Sequence, residues 1–192
     1  MALSRAGGGQ RADECPASDC ATGLRVMSQF VAIDFETASY SRASACAVGL
    51  VRVIDGSIIE EKTLLIRPPQ RQFHFSYIHG LTWEDVRCEP SFAEQWDVIG
   101  GFIAQADFLA AHNAPFDRGV LQGCCEYYGI ALPQQPFVCT VQLARRQWEI
   151  FPTKLPNVCD YLDIPLNHHE AGSDSRACAK IVIAAQRAGW RY

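Results

Sequence analysis

The first half of the chain alternates between short apolar segments and polar turns, as β-strands do. Residues 30–36 are a run of apolar and β-forming side chains, which predicts a buried strand. Residues 45–54 and 58–66 predict two more strands, and Asp55-Gly56 between them is a typical hairpin turn. Pro68-Pro69 ends the third strand. The pattern therefore predicts three consecutive strands in a meander.

The second half alternates between helical and strand-like patterns. Helices are predicted over residues 92–103, 115–129, 155–162 and 171–188, where apolar residues recur at helical spacing or Pro and Gly mark the ends. Residues 107–111 and 137–141 predict the fourth and fifth strands. A meander followed by alternating helix and strand predicts a single α/β domain, in which a mixed five-stranded sheet carries helices on both faces.

The composition is typical of a soluble globular protein. The chain has 192 residues, of which 48% are hydrophobic and 20% are charged. No apolar run approaches the roughly 20 residues that span a bilayer, so no membrane association is expected. The formal net charge of −4 argues against broad coating of a nucleic-acid backbone. It leaves open an enzyme that captures one strand end through bound metal ions.

The cysteines indicate a reducing environment. The chain has nine, an odd number, and none forms a CxxC pair. A zinc site or a disulfide framework would require paired spacings. We therefore expect buried free thiols and a cytoplasmic location.

Residues 1–26 differ from the rest of the chain. They contain Gly and Ser, show no amphipathic period and lack the apolar stretch of a signal peptide. Met27 stands directly before the first predicted strand. We expect residues 1–26 to be a disordered or non-native leader, with a functional tail as the alternative, and residues 27–192 to be the folded domain.

Four acidic residues occupy positions where solvated acids are not expected. Asp34 and Glu36 project from the same face of the first predicted strand, near the C-terminal end at which open α/β sheets bind ligands. Asp117 and Asp174 lie on the apolar stripes of their predicted helices. A buried carboxylate costs several kcal/mol unless it is compensated.

Bound divalent cations would compensate the negative charge of all four buried carboxylates. An Arg partner, or a helix N-terminus at roughly 0.3–1 kcal/mol, could explain Asp117 or Asp174 alone. Four carboxylates near strand ends instead favour metal binding, and oxygen ligands indicate Mg²⁺ or Mn²⁺ rather than zinc. Two such ions are a known arrangement for in-line attack on a phosphodiester.

A histidine near these acids is the candidate proton acceptor. His169 lies five residues before Asp174, in the loop that enters the last predicted helix, and histidine titrates in the range that a general base needs. The adjacent His168 is the competing candidate. His112, at the end of the fourth predicted strand, is expected to make a structural hydrogen bond.

The segments that carry these residues resemble the three motifs of DEDDh (DnaQ-like) 3′–5′ exonucleases, a family that includes the proofreading ε subunit of bacterial DNA polymerase III. They are residues 34–37 (DFET), 112–117 (HNAPFD) and 169–174 (HEAGSD), of which the second fits N-x-x-F-D and the third H-x-A-x-x-D. Residues 78–82 (IHGLT) are similar to a segment that follows the third strand in ε-like proteins. The resemblance covers roughly residues 28–188.

The resemblance implies a ribonuclease H-like fold and two Mg²⁺ or Mn²⁺ ions. It further implies hydrolysis at the 3′ end of single-stranded nucleic acid, with DNA favoured over RNA, and release of nucleoside 5′-monophosphates. By position, His169 is the general base and His168 has the wrong offset from Asp174. The metal ligands implied are Asp34, Glu36, Asp117 and Asp174.

The same resemblance implies a pocket for the terminal nucleotide. Its lining would be Phe35, Thr37, Gly80, Leu81, Asn113 and Phe116. The alternative is that Phe35 belongs to the core and Leu81 to a helix staple. Downstream, Arg145, Arg146, Trp148 and Lys154 could form a patch that binds phosphates and stacks a base, or a solvated helix face.

Two functions of different classes follow from these observations. The first is a metal-dependent exonuclease whose partners are 3′ ends of single-stranded DNA or RNA, with a DNA polymerase as a candidate protein partner. The second is a non-catalytic module of the same fold that holds a strand end or a polymerase. The complete acid set and the poised histidine favour the enzyme.

Overall fold

A computed structural model describes residues 28–192 of the chain. The predicted leader and Met27 lie outside the described residues. Within the described part, no helix combines the length and the apolar character that crossing a membrane requires.

A five-stranded mixed sheet forms the centre of the domain, as predicted. The strands are β1 (Gln29–Thr37), β2 (Ala45–Ile54), β3 (Ser57–Leu65), β4 (Phe108–Ala111) and β5 (Phe137–Cys139). Their order in the sheet is β3-β2-β1-β4-β5. β1 pairs antiparallel with β2, and β2 antiparallel with β3, whereas β1, β4 and β5 run parallel.

Seven helices connect and cover the strands in the described part of the chain. They are α1 (Ser76–His79), α2 (Trp83–Val86), α3 (Trp96–Ile103), α4 (Ala114–Tyr128), α5 (Thr140–Trp148), α6 (Leu155–Leu162) and α7 (Ala171–Arg187).

The alternation of side chains along β1 divides the core into two layers. Phe30 and Ala32 pack in a cluster with apolar residues of α5, α6 and α7. Val31 and Ile33 pack in a second cluster with residues of α3 and α4. Because successive side chains of a strand point to opposite faces, Asp34 continues the face that α7 covers.

The fifth strand is shorter than predicted. Residues 137–141 were expected to be extended, but β5 ends at Cys139 and α5 begins at Thr140. Its pairing partner β4 ends at Ala111, which is opposite Cys139. Thr140 therefore has no strand to pair with, and its hydroxyl donates a hydrogen bond of 3.3 Å to the carbonyl of Ala111.

α7 approaches the sheet most closely where it crosses β2. A Cβ atom at Gly49 would overlap the carbonyl oxygen of Ala171, the first residue of α7, and would lie 2.5 Å from the hydroxyl of Ser175. At the next residue of the helix, a Cβ at Gly172 would overlap the hydroxyl of Thr63 on β3. The absence of these two side chains allows the first turn of α7 to lie directly on the sheet.

We expect Gly49→Ala to lower the free energy of unfolding by about 1–3 kcal/mol, the usual cost of overpacking, because α7 must move away from β2. Gly101→Ala in α3 is the matched control, since a Cβ there meets nothing within 4 Å. Alanine in a helix interior should be neutral or stabilising by up to about 1 kcal/mol. Urea unfolding measures the stability of both variants. If Gly49→Ala is as stable as the parent protein, α7 does not approach β2 as closely as described.

Candidate active site

Three elements bring the four predicted acids together at one end of β1. Asp34 and Glu36 project from β1, and Asp174 projects from the first turn of α7. One carboxylate oxygen from each of these three residues lies within 4.8 Å of the others. Asp117 comes from the first turn of α4 and accepts a hydrogen bond of 3.0 Å from the backbone N–H of Phe35. The four predicted acids therefore form a single cluster.

Burial and mutual repulsion disfavour the ionised forms of these acids. Burial raises the pKa of Asp34 well above its usual range, and the charges of Asp117, Asp174 and Glu36 raise that pKa further. Burial is also the main reason why the pKa of Glu36 rises to about 8 and that of Asp117 to about 7. The pKa of Asp174 is raised as well, by burial, although hydrogen bonds from the His168–His169 loop oppose the rise.

The donor set of this cluster fits a divalent cation. Asp174 is only 3% exposed, and its Oδ1 atom is buried without a hydrogen-bond partner among the described residues. Three acids with neighbouring oxygens offer acceptor atoms to a cation, whose charge would stabilise the ionised forms that burial and repulsion disfavour. Hard oxygen ligands of this kind suit Mg²⁺ or Mn²⁺.

Two stacked histidines lie at the mouth of the cluster. The backbone N–H of His169 donates to Asp174 Oδ2 at 3.1 Å, and Nδ1 of His168 lies 2.9 Å from the same oxygen. The two rings stack with their centroids 3.7 Å apart. Burial, followed by the charge of His168, lowers the pKa of His169. A neutral His169 can accept a proton, as a general base must.

Local hydrogen bonds hold the histidine loop against the start of α7. The backbone N–H of Asn167 donates to the hydroxyl of Ser173 at 2.7 Å, and the backbone N–H of Ser173 donates to the carboxylate of Glu170 at 3.2 Å. His169 itself has a positive φ of 68°. The contact between His168 and Asp174 was not predicted, because the offset of His168 in the sequence differs from that of the motif.

A half-buried histidine and an unusual backbone turn connect β4 to α4. His112 Nδ1 lies 2.9 Å from the hydroxyl of Thr140, and its Nε2 lies 3.1 Å from the carbonyl oxygen of Thr153. Burial lowers the pKa of His112 to about 4. The predicted structural hydrogen bond is therefore confirmed. Asn113 follows with a φ of 72°, a left-handed conformation that Asn tolerates, and this turn directs α4 so that Asp117 meets β1.

The segment predicted to contact the terminal nucleotide lies beside the end of β1. His79 Nε2 lies 3.2 Å from the carbonyl oxygen of Thr37, and His79 Nδ1 accepts a hydrogen bond of 3.1 Å from the backbone N–H of Leu81. Gly80 between them is exposed and has a φ of 78°. His79 therefore links Gly80 and Leu81 to the strand that carries Asp34 and Glu36.

Two aromatic side chains that were predicted to contact nucleic acid pack against the core. The ring of Phe35 is buried in the core 6.5 Å from that of Phe92, on the opposite face of β1 from Asp34. Only its backbone N–H reaches the site, through Asp117. Trp148, the aromatic member of the predicted basic patch, is partly buried against the core next to α7.

Comparisons with known proteins agree with this geometry. The sequence model of the exonuclease family RNase_T matches residues 31–182. Exodeoxyribonuclease 10 of Escherichia coli K12 is 31% identical over 174 residues, which cover 82% of this chain and 69% of that protein. DNA polymerase III PolC-type of Thermotoga petrophila is 28% identical over 158 residues, which cover 80% of this chain. The matched segment is 12% of the PolC-type protein, so the chain spans a small part of that relative.

Solved structures with the same fold include two nucleases. Exonuclease X, solved with 5′ overhanging duplex DNA, aligns with a TM-score of 0.69 and 26% identity over 84% of this chain and 94% of that one. The nuclease domain of 3′hExo, a DEDDh family member bound to rAMP, aligns with a TM-score of 0.72 and 15% identity over 86% of this chain and 94% of that one. The fold and the family match lead to one conclusion: the chain belongs to the exonuclease family.

Proposed function

We propose that this exonuclease hydrolyses the phosphodiester bond at the 3′ end of single-stranded nucleic acid, with DNA favoured over RNA, and releases nucleoside 5′-monophosphates. The observation that carries the proposal is the cluster of Asp34, Glu36, Asp117 and Asp174 beside His169. A protein that only binds strand ends has no need of four mutually repelling carboxylates next to a neutral histidine. The name of the relative exodeoxyribonuclease 10 supports DNA as the substrate.

The four acids would hold two Mg²⁺ or Mn²⁺ ions. Such ions, when bound, lower the pKa of a water molecule and stabilise negative charge on a leaving oxygen. Asp34, Glu36 and Asp174 have neighbouring oxygens, while one oxygen of Asp117 accepts a hydrogen bond from the backbone of Phe35.

The protein's own part in the reaction is to orient the strand end and to move one proton. A ring nitrogen of His169 would accept a proton from the attacking water as the water oxygen bonds to phosphorus. The bond from phosphorus to the 3′ oxygen of the preceding nucleotide breaks, and that oxygen takes up a proton from solvent. The products are a nucleoside 5′-monophosphate and a strand that is one nucleotide shorter. A polymerase partner and a cytoplasmic location remain predictions.

The first experiment is a time course on 5′-labelled single strands, one of DNA and one of RNA, in Mg²⁺ with an EDTA control. We expect a ladder that shortens from the 3′ end, faster on DNA, and no shortening in EDTA. A strand that is bound but stays uncut in both Mg²⁺ and Mn²⁺ would support the non-catalytic module instead.

We expect Asp117→Asn to lower the turnover number by at least about 100-fold, because even changes around metal ligands cost roughly 10–100-fold. Asp97→Asn removes the same charge from an exposed position on α3 and serves as the control. Circular dichroism should show both variants folded. Full activity of folded Asp117→Asn would exclude Asp117 from the metal site.

His169→Ala should lower the turnover number by roughly 100–10,000-fold, the usual contribution of a general base. His168→Ala should act mainly by raising the metal concentration that gives half-maximal activity, since it removes the ring held 2.9 Å from Asp174. Metal titrations of activity for both variants separate these effects. A loss of turnover in His168→Ala but not in His169→Ala would instead identify His168 as the general base.

The metal-free protein should lose stability as the pH rises. The pKa of Glu36 is about 8 in the folded protein against an ordinary 4.5, and that of Asp117 is about 7 against 3.8. At pH values between the ordinary and the raised pKa of each group, the folded protein therefore binds more protons than the unfolded chain. The stabilisation that these protonated carboxyl groups give the folded protein is fully present below about pH 4 and is lost as the pH rises through 7 to about 8.

Thermal unfolding in EDTA from pH 5 to pH 8 measures this effect, and each kcal/mol lost should lower Tm by roughly 2–4 °C in a domain of this size. Glu36→Gln should flatten the upper part of the profile, because it removes the group with a pKa of about 8. Mn²⁺ should raise Tm more at pH 8 than at pH 5. If Tm falls with pH equally in Glu36→Gln and in the parent protein, the acid cluster is not the cause of the pH dependence.

A further inference from the structure

A second group of possible metal ligands lies beside the acid cluster, in the loop that enters α7. Ring nitrogens of His168 and His169 and a carboxylate oxygen of Asp174 lie within 4.8 Å of one another. Nδ1 of His168 is 2.9 Å from Asp174 Oδ2. Zn²⁺ binds nitrogen and oxygen ligands at about 2.0–2.2 Å, so two ligands of one ion stand no more than about 4 Å apart. Small movements of the three side chains would therefore place all of them on a single ion.

The backbone of the loop directs both histidine rings to the same side. Successive side chains of an extended backbone point to opposite sides. His169 instead has a left-handed φ of 68°, and its ring stacks on that of His168 with the centroids 3.7 Å apart. Such a conformation costs a residue other than glycine about 1–3 kcal/mol and is found most often at functional sites. The hydrogen bond from the backbone of Asn167 to Ser173 holds the loop in this conformation.

The two oxygens of Asp174 have different surroundings. The backbone N–H of His169 donates to Oδ2, and Nδ1 of His168 contacts the same oxygen. Oδ1 is buried and has no hydrogen-bond partner among residues 28–192. Metal-binding carboxylates are typically oriented by hydrogen bonds of this kind. The histidines and the acid cluster can therefore use different oxygens of one carboxylate.

The donor atoms of the histidine group favour a different metal from that of the acid cluster. Imidazole nitrogens suit Zn²⁺, whereas carboxylate oxygens suit Mg²⁺ and Mn²⁺. Two histidines and one carboxylate with an open position are a known set of zinc ligands. Both histidines are exposed, so an ion can reach them from solvent without any opening of the protein.

We propose that His168, His169 and Asp174 form an inhibitory site for Zn²⁺. An ion bound there occupies a ring nitrogen of His169, which then cannot accept the proton of the attacking water. It also binds Asp174, which belongs to the acid cluster. Zinc therefore inhibits the nuclease even while Mg²⁺ is present. The binding of zinc rests on the geometry of the three side chains, and its inhibitory effect rests on the proposed function.

Direct binding tests the site without turnover. The Zn²⁺ affinity is measured in Mg²⁺-free buffer by competition with a chromophoric chelator. His168→Ala should weaken Zn²⁺ binding by at least about tenfold, because the loss of a group that merely orients a metal ligand already costs roughly 10–100-fold. His74→Ala, which removes an exposed histidine from the loop before α1, should bind Zn²⁺ like the parent protein. Equal affinities of His168→Ala and the parent protein would overturn the site.

A third variant distinguishes the histidine site from the acid cluster. Glu36→Gln removes an acid of the cluster but none of the three proposed zinc ligands. Its Zn²⁺ affinity should therefore fall far less than that of His168→Ala, and circular dichroism should show both variants folded. If Glu36→Gln loses Zn²⁺ and His168→Ala retains it, the ion occupies the acid cluster and the proposal is wrong.

Inhibition is measured on the 5′-labelled single strand in saturating Mg²⁺ with increasing Zn²⁺. Each protein is compared with its own zinc-free rate. The Zn²⁺ concentration that halves this rate should be at least about tenfold higher for His168→Ala than for the parent protein, and unchanged for His74→Ala. A zinc-selective chelator should restore the rate of the parent protein. An undiminished rate of the parent protein with Zn²⁺ bound through His168 would overturn the inhibitory role.

Failure of the zinc site and failure of the proposed reaction give different results. If the parent protein cleaves no strand but binds Zn²⁺ through His168, the zinc site is supported and the proposed reaction fails. If cleavage proceeds in Mg²⁺ but His168→Ala changes neither the Zn²⁺ affinity nor the inhibition by Zn²⁺, the reaction stands and the zinc site is rejected.

Discussion

The close approach of α7 to β2 is the constraint on which the site depends. Gly49 lies opposite Asp34 in the antiparallel pair of β1 and β2, and any side chain there would collide with the first residue of α7. The helix can therefore begin directly above the sheet, one turn before Asp174. Without this contact Asp174 would be further from Glu36, and the three neighbouring carboxylates could not share a cation.

Bringing the acids together has an energetic cost that the protein alone does not offset. Each pKa in the cluster is raised by burial, and those of Asp34 and Glu36 are raised further by neighbouring acids. A buried oxygen of Asp174 has no hydrogen-bond partner in the described part of the chain. Buried polar groups in folded proteins normally have partners, so an unsatisfied acceptor indicates a group reserved for a ligand. Metal affinity and stability should therefore be coupled through the same four side chains.

Hydrogen bonds within the surrounding loops hold the remaining groups in position. His79 links the end of β1 to Leu81, His112 links the β4–α4 turn to Thr140 and Thr153, and the backbone of His169 is bound to Asp174. The loops of His79 and His169 are thus anchored to β1 and α7, which carry acids, whereas the turn before α4 is anchored to the start of α5 and to Thr153. Arg42 lies beside Phe116 of α4, and its charge opposes the rise in the pKa of Asp117 that burial causes.

The sequence by itself determined which face each acid occupies. Strand alternation put Asp34 and Glu36 on one side of β1, and helical periodicity put Asp117 and Asp174 on buried stripes, because both patterns depend only on local backbone geometry. Tertiary structure alone decided the contacts between distant segments: the ring of Phe35 in the core, His168 beside Asp174, and Arg42 along the glycines of α4. Periodicity gives the direction of a side chain, whereas its neighbours depend on how closely separate elements pack.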